Sequence, residues 1–513
     1  VVAATSYGHG CVSVARESLL RSVGLHKSLR LEIFFSGVHD GILHSFKSYQ
    51  NRLITKKLVE ETGEISEDLR ATDRDGMQKA KHAFKRPPLR HILKELLWTR
   101  FRFLHGVVQS IPQGVALEAE RVLLFPPRHN SNVQDVFSQL GEERKKMSDC
   151  LVVGGGIIGL SLAYELSRRG MTVTLVEQGE WGGQASSAAA GMLAPLKEFT
   201  APGPMLDLGM ESLALYPEWA AELEELTGGD VQLSLEGLLT VALNEEEVQQ
   251  LADKYRWQKE AGHAVHWLSN TLQVKEIEPL LTDQVQAAIY SPYEGHINNR
   301  MLLRALATAC QLQGVKLLSG CVVSGIAVKG GKVVGIETST GSLRAEQTVI
   351  ASGAWVGMML EMLGVSVPIR PVRGQIAAVS SVGIPLRTVI FGTTGYITPK
   401  KDGKIVIGAT EDESGFQREV TMAGLASILQ GTMPYVPALH SATFLEAWGG
   451  LRPATQDGKP LLGPVPGWEG LSIAGGHFRN GILLSPVTAK SMADFVEKGE
   501  TERLLPFLPA RFL

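Results

Sequence analysis

The stretch Asp149–Glu177, DCLVVGGGIIGLSLAYELSRRGMTVTLVE, decides the fold of this chain. Its opening, Cys150–Val153, is a short apolar run of the kind that becomes a strand buried on both faces. Gly154, Gly156 and Gly159 follow in the spacing G-x-G-x-x-G. In that spacing the first glycine allows a tight turn. The second removes a side chain where a pyrophosphate approaches the backbone, and the third lets a helix lie close to the sheet. A helix starting there offers free N–H groups and a partial positive charge to phosphate. Thr172–Val176 reads as a second strand, and Glu177 ends it, 23 residues after Gly154, where an acid reaches a ribose hydroxyl. Three glycines alone fit an ordinary turn. With strand, helix and acid in place they read as a dinucleotide-binding unit, for FAD or NAD rather than NADP.

The bulk composition sets the frame for this unit. A chain of 513 residues allows roughly two to four domains. A hydrophobic content of 44% and a charged content of 20% are those of a globular protein in water, and no unbroken apolar run is long enough to cross a bilayer. Cys11, Cys150, Cys310 and Cys321 have neither metal-ligand nor disulfide spacing, so no metal site is expected and a reducing, cytoplasmic setting is. Charge divides the chain in two. Residues 1–146 hold 23 Lys and Arg against 16 Asp and Glu, a net +7, whereas residues 147–513 hold 27 against 37, a net −10.

Residues 1–146 have no glycine-rich nucleotide turn, no metal spacing and no repeat. They contain a candidate helix at Arg90–Leu104 and a basic run at Lys81–Lys94, which reads better as a solvated segment than as a nucleic-acid site. Met147 stands directly before the first strand. The expectation is therefore an N-terminal extension of unknown role over 1–146, derived from translated upstream sequence, with Met147 as the natural start. A genuine accessory domain is the alternative.

Beyond Glu177, the small residues Gly182–Gly191, with Ser186 and Ser187, suit a backbone passing close to a flat ligand. Met205–Thr227 has helical periodicity. Residues 230–295 alternate strand and helix, with Asn244 before three glutamates as a helix cap. Asn299–Gln313 reads as a helix, Lys316–Leu318 and Cys321–Val328 as strands, and Gly330–Gly331 as a hairpin turn. Thr348–Gly353 is a strand ending in a glycine turn. The runs near Arg370–Gln375, Thr388–Phe391, Tyr396–Pro399 and Ile405–Thr410 suggest a mostly antiparallel sheet. Near the C-terminus, Arg452 lies between glycines and a proline, and Gly475–Leu483 reads as a second glycine turn into a helix. On the residues alone, Arg452 fits a surface ion pair and Tyr396 a core aromatic as well as a site. Trp355 and Trp448 read as packing residues.

From Met147 to about Ala489 these motifs resemble the D-amino acid oxidase superfamily of FAD oxidoreductases, and within it the glycine oxidases of the bacterial thiamine pathway. The likeness is carried by VVGGGIIG, SSAAAGML, ASGAW, YITP, GLRPATQDGKP and GHFRNGILL, and it does not reach residues 1–146. It implies an α/β fold. A Rossmann-like, glutathione-reductase-type FAD domain (147–229, 296–365 and 441–513) would be joined to a substrate-binding domain with a mostly antiparallel sheet (230–295 and 366–440). Non-covalent FAD is implied, held by Gly154, Gly156, Ile157, Ile158, Gly159, Glu177, Gln178, Ala185, Ser186, Ser187, Ala190, Gly191, Met192 and Val323. His477, Phe478, Arg479, Asn480, Gly481, Ile482 and Leu483 would approach the flavin ring. Arg452 and Tyr396 would bind the substrate carboxylate, with Arg479 at the mouth and no side-chain base.

The implied reaction is oxidation of glycine, and of sarcosine or small D-amino acids, by hydride transfer to the flavin. Imine or glyoxylate, ammonia and hydrogen peroxide would result, with O2 as acceptor. The resemblance further implies a homotetramer, a thiazole synthase partner, and neither nucleic acid nor membrane as ligand. The rival readings are an amino acid dehydrogenase passing electrons to a quinone, an RNA-modifying flavoenzyme, and a non-catalytic FAD-binding scaffold.

Overall fold

The structure is a computed structural model that describes residues 147–513. The readings placed on Cys11, Lys81–Lys94, Arg90–Leu104 and the extension itself lie outside the described residues. The strand β1 (Ser148–Val153), helix α1 (Ile157–Arg168) and strand β2 (Val173–Val176) form where the opening stretch demands. Gly154 has φ +113°, and a Cβ there would sit 2.6 Å from the Ala351 carbonyl oxygen. A Cβ on Gly159 would overlap the Gly154 carbonyl oxygen. The third glycine of the motif thus lets α1 descend directly onto the turn, as its spacing requires.

β1 sits at the centre of the first sheet because the chain returns to pair on both its sides. In spatial order the sheet runs Leu461–Pro464, Leu471–Gly475, Gly341–Ile350, β1, β2, Lys316–Leu318. All neighbours are parallel except the first pair, and Val153 lies level with Ile350 on one side and Val176 on the other. A hairpin at Gly330–Gly331, joining Val323–Lys329 to Lys332–Thr338, extends it. Helices α1, Pro204–Thr227, Asn299–Leu312 and Gly481–Lys498 pack on one face around Leu160, Leu162, Tyr164, Leu223, Leu306 and Leu484.

The terminal helix has an internal Pro486, which cannot donate a hydrogen bond back to the Ile482 carbonyl. The Tyr216 hydroxyl donates to that carbonyl instead, and Ser212 Oγ donates to Leu483 O at 2.5 Å. Two buried hydroxyls of the Pro204–Thr227 helix therefore fix the start of the terminal helix.

The second sheet is mostly antiparallel. Its order is Phe444–Thr455, Ile369–Ser380, Lys404–Gly408, Tyr396–Pro399, Val389–Phe391, Leu238–Ala242, Ala287–Ser291, His266–Leu268. One neighbouring pair is parallel, Val389–Phe391 with Leu238–Ala242. Helices here and at the junction start on Asn caps. The side chains of Asn244, Asn270 and Asn298 each accept from the N–H three residues on, a contribution of about 1 kcal/mol each.

One boundary differs from expectation. Residues after 441 join the first sheet at Leu461–Pro464 and Leu471–Gly475, but Phe444–Thr455 pairs along the whole of Ile369–Ser380 in the second. Gly449 and Gly450 blank out the alternation that would have marked this strand, and only the long-range ladder reveals its sheet.

Gly159→Ala should therefore abolish cofactor retention, because the turn and the helix cannot both keep their places. Gly170→Ala, with φ +86° and open space around it, should cost only about 1 kcal/mol. The ratio of visible to ultraviolet absorbance of the purified variants, with their melting temperatures, checks this. A yellow Gly159→Ala protein would contradict it.

Candidate active site

A cavity of about 520 Å³ lies between the two sheets. One end is the glycine turn. Gly156 N-caps α1 and lines the cavity, and a Cβ there would crowd Ser186 Oγ at 3.3 Å, so the glycine keeps the front of the turn clear. Ser186 Oγ accepts from Ile157 N at 3.0 Å. Glu177 Oε2 accepts from Gly155 N at 2.7 Å and Oε1 from Gly179 N at 2.8 Å, which braces the turn. Ser352 Oγ, in the wall beside Ala351, is buried with no hydrogen-bond partner. An open cradle at a helix N-terminus, a ribose-level acid and an unpartnered buried hydroxyl fit a dinucleotide.

Nearly all residues expected at the cofactor line this cavity. Among them are Gly154, Ile157, Ile158, Gln178, Ala185, Ala190, Gly191, Met192, Val323 and the run His477–Leu483. Two do not. Gly159 packs beneath the turn, and Ser187 is turned away, its Oγ donating to Gln184 O at 3.2 Å and its carbonyl accepting from Asn299 Nδ2 at 3.1 Å. Both support the wall from behind. Among the described cysteines, Cys150 and Cys310 are buried free thiols that burial pushes up to about 12, so they stay protonated and inert.

At the other end stand Arg452 and Tyr396. Arg452 lies against Gly374 and donates through Nη1 to Thr410 O at 3.0 Å, and it forms no ion pair among the described residues. Desolvation holds its pKa below the usual arginine range, although a guanidinium stays charged at any working pH. Tyr396 is buried, and burial pushes its hydroxyl up to about 12, so it remains a donor. Arg479 is not free. It pairs with Glu198 at 3.1 Å and Glu411 at 3.6 Å, across the cavity.

The sequence reading missed Glu198, Glu411, Lys197 and Ser352. Lys197 Nζ lies 4.5 Å from the centre of the Phe391 ring, and burial lowers its pKa. None of these four has a local spacing signal, although Ser352 lies within the quoted ASGAW. Trp448 packs as expected, donating to Ala188 O at 3.0 Å beneath Arg300, whereas Trp355 lines the cavity.

Residues 149–495 match the family described as DAO, FAD dependent oxidoreductase. The chain belongs to this family. FAD is the cofactor the cradle serves, and the protein is an FAD-dependent oxidoreductase of the α/β architecture that the motifs implied. Among its relatives, the glycine oxidase of Geobacillus kaustophilus (strain HTA426) is 39% identical over 368 residues, 71% of this chain and 97% of that one. The bifunctional protein ThiO/ThiG of Trichormus variabilis is 37% identical over 70% of this oxidoreductase, which spans only 54% of that relative. The crystal structure of glycine oxidase from Geobacillus kaustophilus overlays with a TM-score of 0.69 at 38% identity, covering 72% of this chain and 99% of that one. An L-proline dehydrogenase from P. horikoshii, at 24% identity and a TM-score of 0.66, shares the fold. No helix among the oxidoreductase's described residues is long and apolar enough to cross a membrane.

The buried histidines set an acid limit. Burial lowers His477 to about 3, and its Nε2 lies 3.0 Å from Thr488 Oγ1. The ring takes up a proton near pH 6.5 only when the chain unfolds. Its stabilising contribution is thus complete above pH 6.5 and is lost as pH falls towards 3. Urea unfolding at pH 7 and pH 5 should show the wild type losing about 2 kcal/mol more than His477→Asn. Equal losses would mean that the ring is not buried neutral.

Proposed function

We propose that this oxidoreductase oxidises glycine, and comparably small amines such as sarcosine, at the Cα–N bond. The resulting imine hydrolyses to glyoxylate and ammonia or passes on to thiazole formation for thiamine. The observation that carries this reading is a guanidinium with no ion pair among the described residues and a protonated phenol, Arg452 and Tyr396, lining the same cavity as the FAD cradle. The 39% identity to a glycine oxidase supports it.

The glycine turn, Glu177, Ser186 and the His477–Leu483 run would hold FAD, which would supply the two-electron redox chemistry, with O2 as the final acceptor and hydrogen peroxide as its product. The chain's own part is orientation. The planar fork of Arg452 matches a carboxylate bidentately. Tyr396 donates to the same group, since its hydroxyl stays protonated through the physiological range. Fixing the carboxylate at two points leaves Cα little freedom, which is where most of the rate advantage of such a site arises. Phe391, Met192 and Ile376 give this cavity an apolar lining. A neutral amine needs no side-chain base, and the carboxylates of Glu198 and Glu411 are already paired to Arg479.

A fused ThiO/ThiG relative supports a thiazole synthase as the consumer of the imine, and a homotetramer belongs to the same reading. Arg452→Ala should raise the glycine KM by roughly 100-fold, the loss expected for a bidentate charged hydrogen bond, with the bound flavin spectrum unchanged. Steady-state oxygen uptake measures it. Unaltered glycine kinetics would remove Arg452 from the site, and an oxidised flavin that excess glycine fails to bleach anaerobically would sink the substrate assignment.

A further inference from the structure

The cofactor wall turns sharply at Gly191, where φ is +76° and a Cβ would run into the Ile297 carbonyl oxygen. Backbone bonds hold one side of this turn. Ile297 N donates to Gly191 O at 2.8 Å, and Met192–Leu193 pairs antiparallel with Gly295–His296. The other side is held from the second sheet by a single side chain. Lys400 follows Pro399 at the end of the strand that carries Tyr396. Its Nζ lies 2.6 Å from Ala190 O, 3.0 Å from Ile297 O and 3.3 Å from His296 Nδ1.

An ammonium has three donors and no acceptor, so these three partners use all of it. His296 is buried and held neutral, so its Nδ1 is able to accept. Lys400 forms no ion pair among the described residues, and burial of its end, only partly offset by the nearby Asp402, lowers its pKa to about 7. A lysine end withdrawn from water costs stability, and an apolar side chain of like length would hold the space with less cost. Stability alone therefore does not account for the lysine.

We propose that Lys400 is a positioning residue for FAD. Its Nζ clamps the Ala190 carbonyl, and with it the Gly191 turn, in the shape that meets the cofactor. It also ties that turn to the strand of Tyr396, so that the cofactor wall and the substrate-binding hydroxyl keep one spacing. This role rests on the FAD cradle and not on glycine being the substrate. It requires N–H donors at the end of a long stem: as an ammonium Nζ donates to all three partners, and as a neutral amine it donates to the two carbonyls and accepts from the His296 ring.

The test uses the full chain. The FAD dissociation constant is read from quenching of flavin fluorescence, and the melting temperature is read on the FAD-stripped protein. Lys400→Met should weaken FAD binding roughly tenfold, the loss expected for two or three buried hydrogen bonds, while the stripped protein melts no lower than wild type. Lys401→Met, at the exposed neighbour, should change neither. A merely structural lysine would give the reverse, a lower melting temperature with FAD affinity intact, and would overturn the proposal. If Lys400→Met does not fold, His296→Phe removes one of the three acceptors and is read the same way. FAD affinity falling several-fold supports the clamp, and unchanged affinity overturns it.

Discussion

The guanidinium of Arg452 occupies the volume that a side chain at Gly374 would fill. In the ladder between Ile369–Ser380 and Phe444–Thr455, Arg452 is level with Val372, and Gly374 is the diagonal neighbour on the same face. The missing side chain lets the arginine lie flat on the sheet with its remaining N–H donors facing the cavity. A cation held this way, with one backbone carbonyl as its hydrogen-bond partner, is poorly compensated until an anion arrives. The placement of this guanidinium is thus built into a backbone contact.

The same strand shapes the cofactor side. Gly450 lies so close to Ala188 that a Cβ would strike it, and Trp448 donates to the Ala188 carbonyl. The small residues after Gly182 are therefore needed twice, once facing the cavity and once where the second sheet presses on their backs. Asn299, from the far side, bonds the Ser186 and Ser187 carbonyls and completes the support.

What was legible in the sequence was local. The glycine turn, its helix and Glu177 lie within thirty residues, so spacing alone carries their geometry. The Asn244 cap and the Gly330–Gly331 hairpin were readable for the same reason, each being settled within a few residues. Arg452 and Tyr396 stood out only through resemblance, since a lone arginine or tyrosine has no pattern of its own. Lys197, Glu198, Glu411 and Lys400 escaped notice because their meaning depends on distant partners, 210 residues away for Lys400 and Ala190 and 281 for Glu198 and Arg479. The sheet membership of Phe444–Thr455 escaped for a related reason. Glycines erased its alternation, and its partner strand begins seventy-five residues earlier.

The central strand pairs have a consequence for how the chain is made. β1 is synthesised first of the described elements, yet its neighbour Gly341–Ile350 comes nearly two hundred residues later, and that neighbour's own partner, Leu471–Gly475, later still. Of the helices that pack against α1, Gly481–Lys498 comes late among the described elements. A nascent chain therefore carries an apolar, half-paired first sheet through most of its emergence from the ribosome, while the second sheet assembles within it. Such high contact order makes folding slow and leaves exposed strand edges waiting for partners. The cavity wall at His477–Leu483 forms only when this helix arrives, so a chain cut short before it would leave the cradle open on that side.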